Sequence, residues 1–276
     1  MRSFKEFDEM DIGFWAVVKY VSELLGYSKG GEVNTYSISE IQTALSSNNL
    51  LIDINQVISV KHYLDLRSEL LNSKVERMLM DATTAKAYYE QLLSIYIEGN
   101  FSCKIPINKQ KGEMKQVAYF TAIINILAEK TIHESGSAIS KIGFNDDPRS
   151  LVYVLDTEQR IVGSTSRRYD GAFPNISNPK IVWEIKEYYY ATTFGSRVAD
   201  GVYETQLDGY ELKTIEKATG IHVEHVYFID AYHTWWTQGK SYLCRIIDAL
   251  NMGLVDEVIF GREVLTRWPE LINEYL

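Results

Sequence analysis

The sequence predicts an α/β fold, and three observations predict it. Past residue 112 the hydrophobic period alternates between two residues and about 3.6. The runs "KIVWEIKEYY" and "HVEHVYFIDAYH" have the β-branched and aromatic composition of buried strands. Helical stretches separate these runs, which is the alternation of a sheet flanked by helices.

Taken in order, the elements begin with helices. In "SISEIQTALSSNNLL", Ser37 or Ser39 can cap a helix in which Ile38, Ile41 and Leu45 recur at helical spacing. "DINQVISVKHYLDLRSELLNSKVERMLM" continues with Ile54, Val57, Ile58, Leu64, Leu66, Leu70 and Leu71, and "TTAKAYYEQLLSIYIEG" adds a helix ending near Gly99. Between Gly99 and Gly112 the pattern breaks at Pro106, glycines and several lysines. This predicts a boundary between a helical N-terminal region, 1–112, and an α/β region, 113–276. The helical region would serve target reading or dimer contacts.

The second region opens with "EMKQVAYFTAIINILAEKTIHESG", a helix apolar around much of its circumference and therefore buried, with Glu129 near its end. "SLVYVLD" then reads as a strand, "GSTSRRYDGAF" as a second strand or a hairpin arm, and "KIVWEIKEYY" as a third strand. A helix from Thr193 to Gly220 follows, with Gly220 as its stop. "HVEHVYFIDAYH" is a strand, "GKSYLCRIIDALNMG" a helix, "VDEVIFG" a strand, and "REVLTRWPELINEYL" a closing helix interrupted by Pro269.

Composition narrows the function classes. The chain is 46% hydrophobic and 24% charged, ordinary for a globular protein. No segment is apolar for long enough to span a bilayer, the first 21 residues are too acidic and interrupted for a signal peptide, and Cys103 and Cys244 stand far apart. A reduced, cytoplasmic setting without membrane attachment is expected. A formal net charge of −9 disfavours a non-specific nucleic-acid coat. A DNA enzyme remains compatible with it, provided that a divalent cation offsets the carboxylates at its site. No Walker loop, G-x-G-x-x-G or G-x-S-x-G is present.

The anomaly is "IVWEIK". In a strand Val182, Glu184 and Lys186 share one face, and Ile181, Trp183 and Ile185 the other. Two ionised groups in a core strand are costly unless each has a partner or a function. The bland account is a Glu–Lys pair on a solvated face. The sharper one joins them to Asp170 of "RYDG", at a strand end or turn. Asp170, a short connection and then Glu184-Ile185-Lys186 resemble the PD-(D/E)XK nuclease superfamily, whose best-known members are type II restriction endonucleases. Tyr169 stands where the motif's name has proline.

That resemblance spans roughly residues 113–261 and implies a restriction-endonuclease-like mixed central sheet. It implies a Mg²⁺-dependent DNA endonuclease, with Mn²⁺ able to substitute, acting on double-stranded DNA as a homodimer in host defence. Asp170, Glu184 and the carbonyl of Ile185 would hold the metal, Lys186 would position or activate the attacking water, and Glu129 would support them. Gln206-x-x-x-Tyr210 is similar to an element of the RecB-like branch, so a RecB-like exonuclease or a nuclease subunit of a defence complex is the alternative. A non-catalytic DNA-binding protein on the same fold is a further one. Arg167, Arg168 and Arg197 are candidate phosphate contacts, although each taken singly reads as a surface cation. His222 and His225 fall on opposite strand faces and read as structural.

Overall fold

The computed structural model describes residues 1–110, 114–136, 143–190 and 195–276, without the side chain of residue 196. Helices come first: α1 (Ile12–Leu25), a short hairpin of β1 (Ser28–Lys29) and β2 (Glu32–Val33), α2 (Ile38–Ser46) and α3 (Ile54–Leu70). α3 runs on through a π turn (Leu71–Val75) into α4 (Glu76–Met78). Ser37 caps α2 in a capping box with Glu40, so the serine signal in the sequence has a structural counterpart. α1 was not legible as an element. It is capped by Asp11 and buries Phe14, Trp15 and Val18 against Tyr63, Val60 and Ile41.

The α/β part comprises α5 (Ala82–Glu98), α6 (Tyr119–Ser135), β3 (Tyr153–Leu155), β4 (Ile161–Ser164), β5 (Gly171–Phe173), β6 (Ile181–Glu187), α7 (Ser196–Thr219), β7 (Glu224–Asp230), α8 (Lys240–Asn251), β8 (Glu257–Phe260) and α9 (Val264–Tyr275). The central sheet has the order β5-β6-β7-β8, with β5 antiparallel to β6 and the remaining pairs parallel. Two expectations are corrected. "GSTSRRYDGAF" is not one continuous strand: Gly163 and Ser164 end β4, which is a hairpin arm paired with β3, and a connection leads to β5. The strand in "SLVYVLD" pairs with β4 in a separate ribbon rather than joining the sheet.

Both sheet faces are covered, which explains why β7 and β8 are buried at every position. On one face Ile181, Trp183, Phe228 and Ile259 pack with α6 and with Trp268 of α9. On the other, Tyr227, Ile229 and Phe260 meet Val198 and Val202 of α7 and Leu243 and Ile247 of α8. Helix α5 also packs on α6, through Ala85 and Tyr89, so it belongs to this core although it precedes residue 112. The sequence boundary at 112 and 113 itself lies outside the described residues.

The helical front is tied to the sheet by a buried ion pair. Arg67 of α3, with no exposed surface, lies 3.0 Å from Asp248 of α8, which also accepts from Tyr63 Oη at 2.7 Å. Arg67 donates to Ser22 Oγ of α1 as well. Removing one partner strands a buried charge, which costs about 3–5 kcal/mol. Arg67→Met is therefore expected to lower the unfolding free energy in urea by about that amount, with partial recovery on adding Asp248→Leu. A loss below about 1 kcal/mol for Arg67→Met contradicts the role assigned to the pair.

Candidate functional site

Asp170 is held by the strand that follows it. Its backbone N–H donates to Trp183 O at 3.0 Å, and its Oδ2 accepts from Ile185 N at 2.8 Å. Gly171 makes this approach feasible, since a Cβ there would lie 2.0 Å from the Trp183 indole. In an extended strand the N–H and C=O of one residue point to the same side. The carbonyl of Ile185 is therefore turned toward the edge that Asp170 occupies. Asp170 is open to solvent at a cleft, yet surrounded by protein on most sides, and this desolvation pushes its pKa up to about 7. Glu184 adds to the rise, and Lys186 opposes it.

Glu184 and Lys186 share a face of β6, as period two requires. Lys186 Nζ lies 2.9 Å from Glu184 Oε2. Both are enclosed, at 1% and 9% exposure, beneath α7. Gly201 of α7 makes room for the lysine: a Cβ there would meet Lys186 Cε at 3.2 Å. Burial alone would lower the lysine's pKa, but Glu184 outweighs it and raises the pKa above its ordinary value. Arg167 roofs the pair. It lies 3.1 Å from Glu184 Oε1, 2.6 Å from Asp208 Oδ2 and 3.2 Å from Glu204 Oε2. Burial lifts Asp208 to about 6 even with that guanidinium opposing the rise.

A cleft of about 570 Å³ opens beside Asp170 and Ile185. Lys104, Lys109, Arg149 and Arg197 bring positive charge to its walls, and Asp146 and Asp147 hold Lys104 and Arg149 there. Glu187, also on the wall, accepts from the N–H groups of Phe120 and Thr121 at the start of α6.

A family model described as a domain of unknown function, DUF7687, matches residues 80–275, which is more than half of the chain. The chain belongs to the DUF7687 family. A second, DUF7690, also described as a domain of unknown function, matches residues 1–74. Neither the curated proteins nor the solved structures contain a significant match to this chain.

The DUF7687 segment thus brings Asp170, Glu184, Ile185 and Lys186 together, with Arg167 among them and Arg197 on the cleft. Other predicted residues are elsewhere. Glu129 does not reach the group, because its carboxylate is taken by Ser102 N, Ser102 Oγ and Cys103 N at 2.7–3.0 Å. Gln206 lines a different pocket with Tyr27 and Arg245, and Tyr210 is half exposed. The helix turns Glu204 and Asp208 toward Glu184 instead. Arg167 is saturated by carboxylates rather than free for phosphate, and Arg168 stays exposed. Glu204 and Asp208 were missed by sequence reasoning, yet Asp208 had a signal. It interrupts the buried stripe Val198, Val202, Thr205, Leu212 at helical spacing.

Among the described residues, the group of three possible ligands whose atoms lie within 4.8 Å of one another is His222, Glu224 and Asp256. It lies around the starts of β7 and β8. His222 lies 3.2 Å from Glu216 and 3.5 Å from Glu224, and Glu224 also pairs with Arg2 and accepts from Tyr275 Oη. The hydrogen bond to Glu224 is the largest cause raising His222 to about 9. With the imidazolium charged, both nitrogens donate, and the group is joined as an ion-pair network. Because the folded pKa is raised, the stability it contributes is complete below about 6.5 and lost as pH rises toward 9. His222→Gln is expected to remove that part of the stability decline between pH 6.5 and 9 in urea melts. An unchanged pH profile contradicts the pairing.

Proposed function

We propose that this protein is a Mg²⁺-dependent nuclease of the PD-(D/E)XK type, acting on double-stranded DNA. One observation carries the reading. Lys186 Nζ lies 2.9 Å from Glu184, while the N–H of Ile185, the residue between them, holds the carboxylate of Asp170. Two acids, a peptide carbonyl on the same strand edge and an ammonium thus meet around one strand segment. A mixed sheet supports the reading: β5, which follows Asp170, is antiparallel to β6, and α7 then crosses to the parallel strand β7.

The donor set suits a hard cation. Two carboxylates and a carbonyl are oxygen ligands of the kind Mg²⁺ accepts while keeping several waters. Glu184 Oε1 faces Arg167 without an aligned hydrogen bond, so it has acceptor capacity to spare. A bound Mg²⁺ supplies charge that polarises a phosphate and acidifies a water. The chain's own residues do the rest. The Ile185 N–H fixes the Asp170 carboxylate at the cleft. Lys186, kept charged by Glu184, donates hydrogen bonds to an attacking water or to charge developing on the phosphate. Arg197 and Lys109 on the cleft wall offer contacts to the sugar-phosphate backbone, and Lys104 and Arg149 can exchange Asp147 for phosphate.

With plasmid DNA and Mg²⁺, discrete fragments are expected from the wild type, and EDTA abolishes them. Progressive degradation instead marks an exonuclease. Lys186→Ala is expected to slow cleavage by about 10²-fold or more with DNA affinity nearly unchanged. Asp170→Asn is expected to lose cleavage together with the metal-dependent tightening of DNA binding. Wild-type cutting by either variant removes that residue from the mechanism.

A further inference from the structure

The starts of two neighbouring parallel strands bring three metal-ligating side chains together. His222 and Glu224 stand two residues apart where β7 begins, and Asp256 immediately precedes β8. His222 Nε2 lies 3.5 Å from Glu224 Oε2 and 3.9 Å from Asp256 Oδ2. Four ligands placed tetrahedrally about Zn²⁺ at its usual bond lengths are about 3.3–3.6 Å from one another. A small inward shift therefore closes these side chains on one ion. Each is held from outside by its own partner. Glu216 Oε1 is 3.2 Å from His222 Nδ1, Tyr275 Oη donates to Glu224 Oε2 at 2.7 Å, and the His225 N–H donates to Asp256 Oδ2 at 2.7 Å. A carboxylate on the far nitrogen of a histidine is the usual companion of a metal ligand, because it fixes the tautomer that leaves the near nitrogen its lone pair.

A second, independent observation points to an occupant. Glu224 is 2% exposed, and its Oε1 has no hydrogen-bond partner. That oxygen faces Arg2 at 3.0 Å without an aligned bond, and Arg2, itself half exposed, also reaches Glu257 and Glu274. Buried carboxylate oxygens normally have partners, and one left over beside an imidazole marks a position that an incoming cation completes. The donor set names the class of cation. An imidazole nitrogen with two carboxylates suits Zn²⁺, whereas Mg²⁺ takes oxygen ligands.

We propose that His222, Glu224 and Asp256 bind one Zn²⁺, with a water on the exposed side of His222 as the fourth ligand. In the metal-free protein a proton on Nε2 stands in the ion's place. On loading, that proton passes to solvent as the nitrogen–zinc bond forms. The ion is a structural clasp. It ties the start of β7 to the start of β8 directly, and through Glu216, Tyr275 and Arg2 it steadies the end of α7, the end of α9 and the first residues of the chain. The clasp is separate from the nuclease reading. Glu224 is in register with Ile181, three residues and so about 10 Å along the sheet from Glu184, and the two positions share no ligand.

Titrations of the full-length protein, stripped with EDTA and desalted, test this. Zn²⁺ is expected to bind in calorimetry and to raise the urea midpoint. Co²⁺ in its place is expected to give the strong visible absorption of a four-coordinate site, which six-coordinate cobalt on oxygen ligands lacks. His222→Gln is expected to abolish that band, and Asp170→Asn to keep it. Glu216→Gln, which retains all three ligands, is expected to weaken Zn²⁺ binding by about 10–100-fold. A wild type that takes up no Zn²⁺ overturns the proposal. So does a cobalt band that survives in His222→Gln, or one that Asp170→Asn removes. Should His222→Gln not fold, Asp256→Asn carries the same expectation and the same power to overturn.

Discussion

The structure turns on how one buried carboxylate is neutralised. Glu184 sits in the middle of β6, on a face covered by α7, where an isolated charge is prohibitively costly. Lys186 from the same strand and Arg167 from the preceding connection hold it from two sides. Much else is arranged around that fact. Gly201 leaves room for the lysine, and Thr205 and Tyr227 bond to the carbonyl of Gly201. Asp208 sits in the apolar stripe of α7 and shares the guanidinium. A core that only needed packing would place aliphatic residues at these positions, since replacing a buried ion pair by apolar groups is often neutral or stabilising. Six charged side chains are gathered here, Arg167, Asp170, Glu184, Lys186, Glu204 and Asp208, more than packing alone requires.

The sheet holds part of this group rigidly. β6 is paired along its length with β7 and backed by Trp183, Phe228 and Trp268, so Glu184 and Lys186 are carried on a rigid element. The connection bearing Arg167 and Asp170 is anchored through the backbone of Trp183 and Ile185, through Ser166 bonded to Glu211, and through buried Tyr169.

Much of this was legible in the chain. The period-two pattern of "IVWEIK" put Glu184 and Lys186 on one face, and the structure does the same. The "RYDG" turn gave Asp170, because a polar acid before a glycine marks a strand boundary, and Asp170 lies immediately before β5. What was not legible is instructive. Glu129 lies on a buried helix as expected, but a local loop uses its carboxylate, and nothing in periodicity reveals which backbone N–H groups a buried acid will accept. Gln206 and Tyr210 share a helix face, yet helical spacing alone does not say toward which neighbour that face turns. The buried stripe does say so, and it selects Asp208. α1 escaped notice because Ile12 and Met10 are exposed while Phe14 and Trp15 are buried, which blurs its apolar side.

The most direct test is crystallographic: crystals soaked in Mn²⁺ and measured at the manganese edge. The account predicts an anomalous peak about 2.0–2.3 Å from carboxylate oxygens of Asp170 and Glu184 and from the carbonyl of Ile185. A fully soaked crystal with no peak there, or with manganese confined to His222, Glu224 and Asp256, contradicts it.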